Sequence, residues 1–163
     1  MKTLKFSLGF FISLLGVSLI SGAQEKDEAE IQKMIDSKDF VFKAQSVNPP
    51  GGRNRQLTPE YDVKVSGDKI DCYLPYYGRS YSAPVNSEGG IKFTSTDFSY
   101  DVKKVKKGWQ ISMKPKNDND VRELYLTAFT NGNASLQVTS NNRQNISFNG
   151  YIEKGKEAEK KVF

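Results

Sequence analysis

The chain has 163 residues, no histidine, a single cysteine and a formal net charge of +5 at pH 7. Without histidine it cannot form a Ser-His-Asp or Cys-His catalytic arrangement, nor the usual zinc sites. Positive and negative residues are interspersed along the sequence, which argues against a nucleic-acid-binding protein. One cysteine cannot make an internal disulfide, so we expect packing alone to stabilise the fold.

Residues 1–23 have the features of a cleavable secretory signal. Two lysines precede an apolar run over residues 6–20, and the run ends in small residues at 21–23, the positions that a signal peptidase reads. A helix of this length spans about 22 Å, less than the ~30 Å hydrocarbon core. We therefore expect cleavage before Gln24 and export to the periplasm or beyond, with no membrane span and no lipid anchor. An uncleaved anchor is the alternative.

Residues 24–38 are predicted to form one N-terminal helix. Acidic residues fill its first turn, where they interact favourably with the helix dipole. Ile31, Met34 and Ile35 fall at positions i, i+3 and i+4 and make one apolar stripe. Because this stripe is narrow, the helix is expected to lie on a larger structure.

From residue 39 to residue 152 the apolar residues alternate with period two, which is typical of β-strands. Tight turns separate eight or nine short strands without intervening helices, and such hairpins give an antiparallel meander. Because a meander leaves two open edges unless it closes, we predict an all-β, up-and-down, lipocalin-like barrel of about eight strands. A two-sheet sandwich is the alternative. Residues 48–60, rich in proline and glycine, are expected to be a loop, and residues 153–163 a charged tail.

Four separated motifs resemble one known family. They are L-P-Y-Y-G-R-S-Y at 74–81, G-G-I-K-F at 89–93, K-G-W at 107–109 and N-N-R-Q-N-I-S-F-N-G at 141–150. In this order they are similar to a secreted Bacteroidetes family catalogued as domain of unknown function 4251. The resemblance implies an exported, barrel-like β domain with no assigned activity, cofactor or catalytic residue. Many members look like lipoproteins, whereas this chain has no cysteine at the cleavage point.

The strongest candidate binding residues are Tyr76, Arg79 and Tyr81, in the first of these motifs, where a predicted strand ends in a kink at Gly78, together with Arg143. Arginine can hold a carboxylate or phosphate with two hydrogen bonds, and tyrosine gives rigid contact area. We expect these four side chains to bind a small amphipathic or anionic ligand at a barrel mouth. The competing interpretation is architectural: the tyrosines plug a barrel end, Arg79 bonds strand-end carbonyls, and Arg143 is a solvated hairpin tip.

Two function hypotheses follow. The first is a non-catalytic, small-ligand-binding module of the bacterial envelope, and the alternative is a structural or interaction protein of the periplasm with a filled core. An enzyme built from tyrosine, arginine and aspartate ranks below both, and no cofactor or metal is expected. Interior volume discriminates between the first two, because inward-facing aromatic side chains would fill an eight-stranded barrel. Six are predicted to point inward: Phe40, Phe42, Phe93, Phe98, Trp109 and Phe148.

Overall fold

A computed structural model describes residues 28–81, 89–116 and 118–155. The predicted signal, the first residues of the predicted helix and most of the predicted tail lie outside these ranges. Within these ranges the chain forms one helix and ten strands: α1 Glu28–Asp36, β1 Asp39–Asn48, β2 Arg55–Gln56, β3 Asp62–Ser66, β4 Lys69–Pro75, β5 Gly90–Ser95, β6 Phe98–Val105, β7 Gly108–Pro115, β8 Val121–Phe129, β9 Asn133–Ser140 and β10 Ile146–Lys154.

The strands form one antiparallel sheet in the order β5-β4-β3-β1-β10-β9-β8-β7-β6, which curls into a half-barrel. This arrangement confirms the predicted up-and-down meander with one N-terminal helix. Two boundaries differ from the prediction. The expected loop contains the two-residue strand β2, because Arg55 and Gln56 find backbone partners on the far end of β1, and β10 continues two residues into the expected tail.

The first and last long strands of the sheet are neighbours. β1 pairs with β10 from Phe40↔Lys154 to Asn48↔Ser147, with a bulge between Ala44 and Ser46. Such a bulge leaves one residue unpaired and increases the local twist, which helps the sheet to curl. Opposite the bulge lies Gly150, and a side chain at this position would collide with the carbonyl oxygen of Lys43.

Strands β5 and β6 stand at the two ends of the sheet order, although only Thr96 and Asp97 separate them in the chain. β5 pairs with β4 and β6 pairs with β7, so the chain bends here and does not form a hairpin. The bend is held by Lys116, whose N–H donates to the Asp97 carbonyl over 3.0 Å and whose ammonium lies 2.7 Å from the Asp97 carboxylate. Counted as two halves of one bent strand, and leaving β2 aside, β5 and β6 give the eight strands predicted.

The inner face of the sheet is filled by side chains. Among the residues predicted to point inward, Phe93 and Phe98 are half-buried and pack against the core, while the other four aromatic side chains are at most 1% exposed. The apolar stripe of α1 is buried in the same core, as predicted. Four aromatic and three helical side chains therefore share the interior: Phe40, Phe42, Trp109, Phe148, Ile31, Met34 and Ile35.

Two hydrogen bonds fix the helix to β6 and β7. The Trp109 indole N–H donates to the Gln32 side-chain oxygen over 2.6 Å, and the Tyr100 hydroxyl donates to the Ile35 carbonyl over 2.9 Å. Burial, with a further contribution from the Asp36 carboxylate, raises the pKa of Tyr100 well above its ordinary value. The neutral, hydrogen-bonding form of this tyrosine is therefore the one that the folded state stabilises.

We expect Gly150→Ala to lower the free energy of unfolding by about 3 kcal/mol or more, since the added methyl group meets backbone that cannot move aside without opening the β1–β10 ladder. Asn149→Ala is the matched control, because this neighbouring side chain is exposed. Urea unfolding monitored by Trp109 fluorescence measures both variants. Equal stability of the two variants would contradict the tight approach at Gly150.

We also expect stability to fall as pH rises above 10, because Tyr100 ionises in the unfolded chain at its ordinary pKa but keeps its proton in the folded protein. One proton of difference corresponds to about 1.4 kcal/mol per pH unit. Tyr100→Phe should lose this part of the slope, at the cost of about 1 kcal/mol of stability at neutral pH from the missing hydrogen bond. Urea titrations between pH 8 and pH 11 test this, with Tyr125→Phe on the outer face as control.

Candidate functional site

Strand β4 carries an inner and an outer row of side chains. Ile70, Cys72 and Leu74 are buried, whereas Tyr73 is 43% exposed and Tyr77, just beyond the strand, is 36% exposed. Period-two alternation in the sequence predicts this register, with Ile70, Cys72 and Leu74 inward and Tyr73 and Tyr77 outward. The outward tyrosines are therefore available at the surface, while the inward side chains complete the core.

After β4, the chain is clamped against the turn that precedes β10. The Tyr76 hydroxyl lies 2.9 Å from the Arg79 carbonyl oxygen and 3.1 Å from that of Gln144, and donates its proton to this pair. Backbone hydrogen bonds join Gln144 N–H to the Arg79 carbonyl and Tyr81 N–H to the Asn142 carbonyl. Burial raises the pKa of Tyr76, which keeps its hydroxyl a donor at neutral pH.

The predicted kink at Gly78 is required by this clamp. A side chain at Gly78 would collide with the hydroxyl and ring of Tyr76. Only glycine therefore lets the chain fold back closely enough for Tyr76 to reach the carbonyl of Arg79.

Arg143 is buried at the centre of the clamp, so the expectation of a solvated hairpin tip is wrong. Its side chain is 5% exposed, and its Nη1 donates to the Gly90 carbonyl over 2.8 Å. Its Nε lies 3.0 Å from the Asp120 carboxylate, an ion pair whose angle is too poor for a hydrogen bond. The guanidinium also lies over the Tyr76 ring, 5.1 Å from its centroid. This one side chain thus joins the start of β5, the approach to β8, the turn before β10 and the end of β4.

The structure separates the four predicted binding residues into two pairs. Tyr76 and Arg143 are engaged with each other and with backbone, which is the architectural role. Arg79 and Tyr81 are held by their backbones but direct their side chains to solvent, and Tyr81 is 72% exposed. The Arg79 guanidinium contacts no carboxylate among the described residues, and it makes no bond to strand-end carbonyls there.

A second cluster, which the sequence analysis did not predict, lies around the outward side chains of β4 and β5 and includes residues of β2, just before β3 and just after β4. The rings of Tyr61 and Tyr73 are 5.3 Å apart. Arg55 lies 4.8 Å above the centre of the Tyr77 ring, and the Lys92 ammonium is 5.8 Å from that of Tyr73. We call these five side chains the tyrosine face. In the sequence, only the outward register of Tyr73 and Tyr77 pointed to this cluster. Arg55, Tyr61 and Lys92 are distant in sequence and reach it only in the folded sheet.

Beside the tyrosine face runs an open groove of about 470 Å³. Its polar walls are formed by the outward side chains of three strands: Asp62, Lys64, Asp71, Tyr73, Lys92 and Thr94. The Asp62 carboxylate lies 2.6 Å from the Lys43 ammonium, and the Asp71 carboxylate lies 2.8 Å from the Lys69 ammonium. Both groove carboxylates are therefore already paired.

The chemistry of the remaining groups is limited. Cys72 is buried, and desolvation strongly raises its pKa, which makes it a poor nucleophile. In the part of the chain that the structure describes, no group of three or more potential ligands could hold a metal ion. Within the same ranges, no helix is both long enough and apolar enough to cross a bilayer.

We expect Arg143→Ala to lower the free energy of unfolding by about 2–3 kcal/mol, because it removes the ion pair with Asp120, the hydrogen bond to the Gly90 carbonyl and the packing on Tyr76. Arg79→Ala deletes an arginine of the same clamped segment whose side chain is exposed, and should change stability by less than about 0.5 kcal/mol. Thermal and urea unfolding measure the difference. A larger loss in Arg79→Ala than in Arg143→Ala would contradict the assignment of roles.

Comparisons with known proteins agree with this fold. A crystal structure of a DUF4251 family protein from Bacteroides eggerthii is similar over 78% of this chain and 87% of that chain, with a TM-score of 0.55 and 14% sequence identity. A comparison with curated proteins gave no match. The family model described as domain of unknown function (DUF4251) matches residues 23–152. The motifs at residues 74–81 and 141–150, which the clamp brings together, lie inside this match, and the chain belongs to the DUF4251 family.

Proposed function

We propose that the protein is an exported, non-catalytic interaction protein of the bacterial envelope that binds its partner on the outside of the curled sheet. The filled interior carries this proposal. The interior of an eight-stranded barrel is wide enough either for side chains or for one small ligand. Here four aromatic side chains from three strands and the apolar stripe of α1 occupy that space, which favours a surface site over an enclosed one.

Export is supported by the sequence of residues 1–23, which combines a positive start, a short apolar run and small residues at its end. The absence of catalysis is supported by the residue types themselves. The sequence has no histidine, the one thiol is buried, and both carboxylates of the groove are held by lysines.

A second candidate function is the binding of a small anionic or amphipathic ligand at Arg79 and Tyr81. One observation favours it: both side chains are exposed although their backbones are fixed by the clamp. A rigid backbone lowers the entropy lost when exposed side chains grip a ligand. The arginine would hold the anionic group, and the tyrosine ring would cover its apolar part.

Native mass spectrometry of the protein, expressed from its full gene and purified gently from its own host, tests the two functions. The interaction protein should carry a stoichiometric protein partner, and no small molecule. A bound small molecule that is lost in both Arg79→Ala and Tyr81→Ala would establish the second candidate instead. The same variants should retain a protein partner if they leave the tyrosine face intact. A bare mass in every preparation, after cross-linking in intact cells, would contradict the proposed function.

A further inference from the structure

We infer that the tyrosine face is the interface of this protein and that its partner is an acidic segment of another protein. The inference rests on the proposed function, to which it adds the location of the surface and the chemistry of the partner. It is supported by the positive charge of Arg55 and Lys92, by the position of these cations over tyrosine rings, and by the hydrogen-bond donors that the two cations offer to a partner.

The tyrosine face presents positive charge that the described residues do not neutralise. Arg55 and Lys92 are exposed, and neither has a carboxylate partner among the residues that the structure describes. The groove carboxylates are held elsewhere, Asp62 by Lys43 and Asp71 by Lys69, while Glu60, beside Tyr61, accepts from the Thr58 hydroxyl over 3.0 Å and forms no ion pair with Arg55 or Lys92. A partner that brings carboxylates to this surface would therefore meet two free cations.

The position of Arg55 prepares it for a carboxylate. Its guanidinium carbon lies 4.8 Å above the centre of the Tyr77 ring, a distance at which the ring attracts the cation. Stacking of this kind occupies the face of the guanidinium and leaves its N–H edge free for two parallel hydrogen bonds to a carboxylate. Because the ring already restricts the arginine, less rotamer entropy is lost when a partner binds.

The tyrosines supply the contact area that a peptide needs. Tyr73 and Tyr77 are about two-fifths exposed, and the half-buried Tyr61 packs against Tyr73 from the neighbouring strand. Tyrosine and arginine are enriched at the centres of protein interfaces, where rigid amphipathic side chains contribute most of the binding energy. The backbone and aliphatic stems of an acidic segment would lie on these rings while its carboxylates meet Arg55 and Lys92.

A neutral carbohydrate fits this surface less well. A neutral sugar would bring no charge to Arg55 and Lys92, and the two groove carboxylates that could accept from its hydroxyls are already engaged: Asp71 accepts from the Thr94 hydroxyl over 2.6 Å, and Asp62 accepts from Lys43 over 2.6 Å. The two exposed cations can only donate hydrogen bonds, which matches a partner rich in acceptors. A sulfated glycan or an anionic lipid surface shares that property, so both enter the test as competitors.

The test uses a fluorescein-labelled peptide of ten glutamates, titrated into the purified protein and followed by anisotropy at 50 mM and 300 mM salt. The wild-type protein should bind it, more weakly at high salt because exposed charges are screened. The double variant Arg55→Gln, Lys92→Gln should bind about tenfold more weakly, as expected for the loss of two exposed ion pairs. Lys103→Gln, Lys106→Gln removes the same charge from exposed positions on and after β6 and should bind like the wild type.

Tyr77→Ser separates stacking from net charge, since it removes the ring beneath Arg55 and changes no charge; it should also weaken binding. Melting temperatures of all variants show that they remain folded. The inference would be overturned if the wild type did not bind the peptide. It would also be overturned if the control variant Lys103→Gln, Lys106→Gln lost as much affinity as Arg55→Gln, Lys92→Gln. Tighter, Arg55-dependent binding of heparin or of phosphatidylglycerol vesicles would overturn it as well and would assign the face to those ligands.

A photo-reactive phenylalanine at Tyr77, compared with one at Tyr125 on the outer face of β8, separates this inference from the proposed function. Cross-links to a host protein at position 77 alone, combined with glutamate-peptide binding, support both. Cross-links at position 125 alone would support the proposed interaction protein but overturn the tyrosine face as its interface. Absence of cross-links at both positions, together with a bare native mass, overturns both.

Discussion

The pairing of β1 with β10 is the constraint on which the rest of the structure depends. It places the first and last long strands in the middle of the sheet order and so brings opposite ends of the sequence together. Because Gly150 has no side chain, the two backbones can approach at the bulge. The turn before β10 is thereby set beside the end of β4, where Arg143 can reach Tyr76. Without this seam neither the clamp nor a closed core would form.

The tyrosines of β4 and of the segment after it are divided between the clamp and the tyrosine face. Tyr76 is turned inward, and its hydroxyl donates to a pair of backbone carbonyls, so it stabilises the chain reversal. Tyr73 and Tyr77 point outward from the same stretch of chain and carry cations on their rings. A rigid clamp behind an exposed aromatic surface is the arrangement expected when binding depends on preorganised side chains. The filled interior is consistent with this division, since it leaves the outside of the sheet as the surface available to the proposed partner.

Much of the fold was predictable because alternation along a strand is a local property. The buried register of Ile70, Cys72 and Leu74 followed from period two alone, and the stripe of α1 followed from the helical i, i+3, i+4 spacing. The short strand β2 was missed, because its pairing with β1 is not encoded in its own proline- and glycine-rich surroundings. The burial of Arg143 was missed for a related reason. A polar turn is normally solvated, and only the sheet order shows that Asp120 and Tyr76 meet there. The tyrosine face likewise needed pairing between strands that are distant in sequence.

The neighbouring positions of β1 and β10 also determine when the protein can fold. β1 is complete by residue 48, but its partner on one side begins only at residue 146. Contacts of such long sequence separation require closure of a large loop before they stabilise the chain, which slows folding. The hairpins from β6 to β9 can pair early, whereas the core of Phe40, Phe42 and Phe148 is assembled last. A chain emerging from a ribosome therefore cannot complete this core until residue 146 and those that follow it are available.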